Sequence, residues 1–357
     1  MMKCVFLGNW VMGRAVGLQR YTLQVLKALD RMIAQGQLEA DIRLLIPGNA
    51  EWASPFEKIQ VVKAGHIRNK VEKHLWPQLV FPYYVRKNRA IGIDMTNTVP
   101  VWGCDICSIP DCIPEAFPQF FPNGWFMRLQ RIKNQWAMLR AHTKVITLTN
   151  DSLRQAERFY GNRDNRLSIV GCGWEHMDEI KEDDAIFEAF PQLEQKPYFF
   201  SLGSKYPHKN FAWVFRAAQK HPQYQFVITG TDLFSKTDGT EQMEKPENIL
   251  FTGYISDGEI KALMKRCRAL IQPSLCEGFG LPPIEALSLG RPVIVSNVSS
   301  LPEIYQQSAH YIDPYADGCD LDELLGQPVG AAAPVLQKYT WHNAAMQLLD
   351  VIAQCRS

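Results

Sequence analysis

Two glutamates eight residues apart, separated by a glycine turn, are the feature of this sequence most able to do chemistry. The stretch reads Pro273-Ser-Leu-Cys-Glu277-Gly-Phe-Gly-Leu-Pro-Pro-Ile-Glu285-Ala-Leu. Gly278 and Gly280 permit a tight turn and close approach of backbone to a ligand. Pro282 and Pro283 suit the first positions of a helix, where a missing N–H is harmless. Gly290 ends that helix. A glycine-rich loop that opens a helix presents free N–H groups and the positive end of a dipole to an anion. Glu277 before the turn and Glu285 within the helix would then face different parts of one bound molecule.

Two further segments have the same layout. Ser201-Leu-Gly203-Ser-Lys205-Tyr-Pro-His208-Lys209-Asn210 also follows an apolar run and opens a helix. Lys209 and Lys205 could neutralise a diphosphate as point charges. Gly203 would let backbone come close, and Asn210 is expected to cap the helix. In Ser296-Asn-Val-Ser299-Ser300-Leu-Pro-Glu303 the hydroxyls and N–H groups could complete a phosphate cradle. Near the start, Gly13-Arg14-Ala-Val-Gly17-Leu-Gln-Arg20-Tyr21 joins a first strand to a long helix, with Gly17 placed to admit a substrate.

These loops need a scaffold that delivers them to one place. Short runs rich in Val, Ile and Phe predict strands at Lys3–Gly8, Ile42–Ile46, Ile59–Val62, Ile91–Met95, Asp105–Ile109, Val145–Thr149 and Leu167–Val170. A second set falls at Tyr198–Leu202, Phe226–Thr229, Ile249–Phe251, Ala269–Gln272, Val293–Ser296 and Tyr311–Ile312. They lack polar alternation, as strands covered on both faces do. Helical patterns at Leu18–Ile33, Phe211–Lys220, Asp257–Cys267 and Pro283–Leu289 separate them. Strand–helix–strand alternation means α/β architecture with doubly wound parallel sheets. Two such units in tandem leave a cleft lined by strand carboxyl ends. The chain of 357 residues is long enough for two domains. Through Glu175 it carries 23 Lys and Arg against 14 Asp and Glu, and the remainder carries 15 against 23. That break, with the acidic 177–184 segment, separates a first domain of 1–175 from a second of 196–340.

Composition excludes other classes. A basic half beside an acidic half argues against nucleic acid as a partner of the whole chain. No apolar run is long enough to span a bilayer, and the start reads as a buried strand rather than an export signal. Nine cysteines are an odd number, and reduced thiols in the cytoplasm are the expected state. Cys104-Asp-Ile-Cys107 with Cys112 lacks the second pair that a zinc site requires. Asp320-Leu-Asp322 reads as a helix cap, so no metal and no cofactor are expected.

Over Leu275–Ile294 and Ser299–Glu303 the sequence closely resembles the retaining nucleotide-sugar glycosyltransferases of family four. It looks most like the bacterial mannosyltransferase-like branch of O-antigen and exopolysaccharide assembly. The Gly203–Asn210 loop, Gly17–Tyr21, Thr149–Ser152, Asp313-Pro314 and Tyr339-Thr340-Trp341 match in order. The resemblance implies the GT-B fold, two Rossmann-like domains with a terminal helix of about 341–357 crossing back to the first. It implies that Glu277 meets the donor sugar's hydroxyls near the reacting carbon and that Glu285 holds the ribose. Lys209 and the Gly278–Gly280 amides would stabilise the departing diphosphate. Phe279, Leu281 and Ser300 complete the donor loop. Ser204 and His208 stand where members commonly carry Arg, leaving Lys205 as a substitute. Pro110-Asp111 replaces the usual His-Asp, so Asp111 alone is left to orient the acceptor. GDP-mannose is the implied donor, a substrate rather than a cofactor. A glycan or lipid-diphosphate-linked saccharide is the implied acceptor. Retention implies attack from the leaving-group face, with a phosphate oxygen taking the acceptor's proton. UDP- or dTDP-sugars are the alternative donors.

Two regions bear on where the chain works. Ala116–Asn150 has no acidic residue and carries Arg128, Arg131, Lys133, Arg140 and Lys144 among Trp125, Phe126 and Trp136. Residues 68–89 combine Arg68, Lys70, Lys73, Arg86, Lys87 and Arg89 with Trp76, Tyr83 and Tyr84. Such mixtures suit an anionic inner-membrane surface, or else the aromatics are core and the charges a solvated face. Two rival functions stay open. One is a non-catalytic sugar-nucleotide-binding protein, motivated by Pro110. The other is a dinucleotide oxidoreductase, which wants Gly-x-Gly-x-x-Gly after the first strand. Gly8, Gly13 and Gly17 lack that spacing.

Overall fold

The computed structural model describes residues 2–13, 17–121, 124–140, 142–161, 166–203, 206–230 and 243–355. They form two compact units. One comprises 1–112, 123–172 and 341–357, and the other 113–122 and 173–340. The ranges differ from those read off the charge break at one telling place. Residues 113–122 leave the first unit, because Phe121 stacks on Tyr206 and His208 of the second, with ring centroids 6.0 and 6.2 Å apart.

The first unit is built on a seven-stranded parallel sheet of β1 (Met2–Leu7), β2 (Ala40–Pro47), β3 (Gln60–Ala64), β4 (Ile91–Asp94), β5 (Ile106–Ser108), β6 (Lys144–Thr147) and β7 (Leu167–Ile169), in the order β3-β2-β1-β4-β5-β6-β7. Its core packs Val5, Leu7, Leu45, Phe81 and Val145. The terminal helix Trp341–Gln354 belongs to this unit. The Tyr21 ring lies 6.2 Å from that of Trp341, and Gln347 Oε1 accepts from Gly171 N at 2.9 Å.

The second unit has a six-stranded parallel sheet of β8 (Tyr198–Ser201), β9 (Gln225–Ile228), β10 (Ile249–Phe251), β11 (Ala269–Gln272), β12 (Val293–Ser296) and β13 (His310–Ile312), ordered β10-β9-β8-β11-β12-β13. Phe199, Trp213, Phe215, Phe226 and Ile294 fill its core. All thirteen expected strands are present, with ends moved by two residues at most. Short, β-branched, unalternating runs do fold as strands sandwiched between helices.

Three of the longer helices among the described residues went unread. Lys70–Asn88 contains Pro77 and Pro82, which ordinarily argue against a helix interior. It is started by Asn69, whose side chain accepts from Glu72 N, while Glu72 Oε2 accepts from Arg68 N. Trp125–Leu139 presents large apolar residues outward, which blurs its periodicity. Asn150–Tyr160 begins at Thr149, whose hydroxyl accepts from Ser152 N.

Candidate active site

Each sheet winds outward in both directions from an inner pair of strands, and loops at the carboxyl ends of such a pair are where doubly wound folds bind ligands. In the second sheet that pair is β8 and β11. The loop after β8 carries Lys209, and the loop after β11 carries Glu277. Their side chains meet, with Lys209 Nζ donating to Glu277 Oε1 at 2.7 Å. The lysine end is 23% exposed and the glutamate 8%, so the ammonium is the reachable half. An ammonium has three donors, and Glu277 takes one.

Glu277 is held from several sides. Its Oε1 also accepts from Gln272 Nε2 at 2.8 Å and from Ser274 Oγ at 2.6 Å. Burial pushes its pKa up, but Lys209, His208 and the Ser274 hydroxyl outweigh that and bring it below 4.5. It is ionised at neutral pH. Its backbone is pinned as well. Ser299 Oγ accepts from Glu277 N at 3.2 Å, and Ser300 Oγ donates to Glu277 O at 3.0 Å. Ser300 is wholly buried there. The expected phosphate cradle after β12 thus acts, in this structure, on the glutamate's main chain.

The turn that follows is tightly constrained. Gly280 has φ +83°, and a Cβ there would stand 2.7 Å from Leu301 Cδ2. Tyr305 donates its hydroxyl to Gly280 O. The helix Leu281–Ser288 starts next. Pro282 and Pro283 delete two of its four unpaired N–H donors. An anion here must therefore use the amides of 278–281 more than the helix itself. Gly278 is buried in that turn. The Phe279 ring turns inward, 3% exposed and edge-on to Tyr339 at 5.3 Å. Leu281 is half-buried.

Asn210 behaves differently from the expected cap. Its backbone is left-handed at φ +56°, and its side chain makes no cap bond. Instead Asn210 Nδ2 donates to Pro273 O at 3.0 Å and to Pro314 O at 2.8 Å. Those carbonyls begin the loops after β11 and β13, so one amide ties three loops together. Gly203 has a packing reason to be glycine: a Cβ would lie 2.8 Å from Thr229 O. Ser204 and Lys205 lie outside the described residues.

His208 is 6% exposed, and its Nδ1 has no hydrogen-bond partner. Burial pushes its pKa down to about 4, Lys209 pushes the same way, and Glu277 opposes. It is neutral at pH 7. Glu285, in the helix after the turn, is 3% exposed and lies 2.9 Å from His176 Nε2.

Asp111 and Gly17 stand in the first unit. Asp111 follows β5, two residues past Ile109, whose N–H bonds Ile146 O. Gly17 starts the Leu18–Ala34 helix at φ +41° with open space where a Cβ would be. Gln272, Ser274 and His176 were missed by sequence reasoning. A polar residue closing the apolar strand Ala269–Gln272 was a usable signal for the first. His176, over a hundred residues from Glu285, left none.

Cys104 and Cys107 are buried neighbours with sulfurs 3.4 Å apart. Asp320 caps the Leu321–Gly326 helix, accepting from Asp322 N and Glu323 N. Among the described residues, no cluster of three or more His, Cys, Asp or Glu is arranged to hold a metal ion.

Residues 182–317, which hold both loops, match the family Glycosyl transferases group 1. An O-antigen chain mannosyltransferase of Salmonella typhimurium, RfbU, is 24% identical over 319 residues, 84% of this chain and 83% of that protein. O-antigen chain mannosyltransferase B of Escherichia coli is 32% identical over 131 residues, 34% of each chain. Among solved structures, sucrose-phosphate synthase from Thermosynechococcus elongatus superposes with a TM-score of 0.72 at 16% identity, over 99% of both chains. The 182–317 segment is therefore a group 1 glycosyltransferase domain, carried in a chain with two Rossmann-like parallel sheets and the GT-B fold.

Proposed function

We propose that this chain transfers a mannosyl group from GDP-mannose, with retention of configuration, to a glycan or lipid-diphosphate-linked saccharide of a surface polysaccharide. The carrying observation is the Lys209–Glu277 pair at the carboxyl ends of β8 and β11. In this reading Lys209 and the 278–281 amides meet the charge that develops on the departing diphosphate, the kind of preorganised stabilisation that is large in enzymes. Glu277, ionised and immobile, accepts hydroxyls of the donor sugar. Glu285 accepts those of the ribose. A phosphate oxygen takes the acceptor's proton, so Pro110 removes nothing the step requires. Asp111 orients the acceptor. No metal enters the scheme. The mannose assignment is supported by the names of the O-antigen relatives.

The reading extends to an anionic lipid surface on the cytoplasmic side. Among the described residues, seventeen large hydrophobics are exposed, and eleven of them come from two helices and the 101–102 loop of the first unit. Val71, Leu75, Leu79 and Tyr83 line the Lys70–Asn88 helix, and Trp125, Leu129, Ile132, Trp136 and Leu139 line Trp125–Leu139. Trp102 and Val101 bridge them. Trp102 Nε1 donates to Gln78 O at 2.7 Å, and Trp136 Nε1 to Val101 O at 3.1 Å. Lys73, Arg86, Arg128 and Arg131 are exposed on the same two helices. Of the tryptophans at 76, 125 and 136, Trp76 alone is core. No helix among the described residues is long and apolar enough to cross a membrane.

Thermal unfolding with GDP, UDP, dTDP and their sugars tests the donor, because ligand bound to the folded state raises its stability by mass action. GDP and GDP-mannose should raise the midpoint by several degrees. A preference for UDP-sugars would overturn the mannose assignment. Radiolabelled transfer from GDP-mannose to a lipid-linked acceptor then tests the reaction.

A further inference from the structure

Glu285 is met by an imidazole that comes from a distant segment of the chain. The two side chains are 2% and 4% exposed. Taking a carboxylate and an imidazole out of water is costly, and apolar residues of the same volume often serve stability as well or better. Stability alone therefore gives no reason for the pair. A carboxylate's oxygens only accept, so the bond between the two side chains is one that His176 Nε2 donates.

The donor itself is fastened. His176 opens the short helix His176–Glu179. Just before it, Trp174 Nε1 donates to Leu336 O at 2.9 Å. Just after it, Lys261 Nζ donates to Met177 O at 2.6 Å and to Ile180 O at 2.8 Å. Three side-chain bonds to two other helical segments thus fix the backbone that bears the ring. Glu285, by contrast, has several rotatable bonds and could otherwise turn its carboxylate in more than one direction.

We infer that His176 is the positioning residue for nucleotide recognition: it holds the Glu285 carboxylate in the plane that accepts both hydroxyls of a ribonucleoside diphosphate's ribose. The inference rests on the reading of Glu285 as the ribose carboxylate. A vicinal diol offers two donors, and a carboxylate has about four lone-pair sites on two oxygens. One N–H on Oε1 sets the carboxylate's direction and uses one of its lone-pair sites.

The test is calorimetric binding of GDP and UDP, each beside its 2′,3′-dideoxy form. The wild-type chain should bind the better ribonucleotide about tenfold more tightly than its dideoxy form. His176→Leu should erase that preference while leaving dideoxy affinity within about threefold. His176→Gln, which can still offer an N–H near the same point, should restore most of it. A His176→Leu protein that keeps the wild-type preference overturns the inference. So does a wild-type chain that binds GDP or UDP without any ribose preference. A wild-type chain that binds neither overturns the donor-site reading along with it. Should Leu at 176 unfold the chain, the wild-type imidazole decides by ¹⁵N NMR. Its Nε2 resonance should move with the ribonucleotide and stay put with the dideoxy form, and equal movement with both contradicts the inference.

Discussion

Both units bury carboxylates, but they use them differently. In the first unit, Asp30 accepts from the backbone N–H groups of Glu57, Lys58 and Ile59, and Asp94 from those of Thr96 and Val99. Asp30 thereby staples a loop to the Leu18–Ala34 helix, and Asp94 staples one to the end of β4. In the second unit, Glu277 and Glu285 face the side chains of Lys209 and His176. The first unit instead leaves its unusual feature outside, as a wide apolar face edged with cations. A carboxylate bonded to amides is structural. One bonded to ionisable side chains beside a sheet's switch point is, in the proposed function, the one that meets the ligand. Neither the buried pairs of the second unit nor the exposed apolar face of the first is what stability alone would select.

That contrast breaks most visibly if Glu277 proves dispensable. Glu277→Ala should lower kcat/KM for transfer from GDP-mannose on the order of 10²–10³-fold, with the thermal midpoint moving far less in proportion. Steady-state kinetics beside a melting curve separates the two. An equal fall in both would make Glu277 a staple like Asp94.

Asn210→Ala should cost roughly 2–4 kcal/mol by denaturant unfolding. It orphans the carbonyls of Pro273 and Pro314 and puts alanine in a left-handed conformation. A loss below about 0.5 kcal/mol would mean the three loops do not depend on that amide.

His208 sharpens the contrast through pH. Its folded pKa, about 4, lies below the ordinary 6.5. The unfolded chain therefore binds the proton first, and stability is lost as pH falls from about 6.5 to about 4. The loss attributable to His208 is at most about 3 kcal/mol. Burial lowers the His310 pKa as well, so the informative quantity is the difference between parent and His208→Gln. The variant should show the shallower acid slope. Identical slopes would remove the neutral imidazole from the account.

The smallest effect belongs to the first unit. Trp125→Ser with Ile132→Ser should weaken sedimentation with anionic vesicles about tenfold, since each loses apolar area at the interface. Stability should stay within about 0.5 kcal/mol and transfer to a soluble acceptor should be unchanged. Undiminished vesicle binding would leave that face without its assigned partner.

These effects also mark how far the residues alone could be read. The strands were legible because burial on both faces leaves an unbroken apolar signature. The turn from Glu277 to Leu281 was legible because glycine and proline have few conformational reasons to stand there. The Lys70–Asn88 and Trp125–Leu139 helices were not, since internal prolines and outward-facing apolar residues erase the pattern that a helix on a core displays. The partners of the two glutamates divide in the same way. Lys209 was found because its own loop announced it. Gln272 and Ser274 were hidden in plain sequence, five and three residues before Glu277. Asn210 looked like a cap because the sequence shows a helix start and not the two carbonyls waiting in other loops. His176 depends wholly on tertiary packing.

The central claim is that the loops after β8 and β11 together grip a sugar nucleotide's diphosphate. A crystal structure of the chain with its preferred nucleoside diphosphate tests it most directly. Diphosphate oxygens should lie within hydrogen-bonding distance of Lys209 Nζ and of amides in 278–281. A nucleotide bound away from both, with the 2.7 Å contact between Lys209 and Glu277 undisturbed, would contradict it.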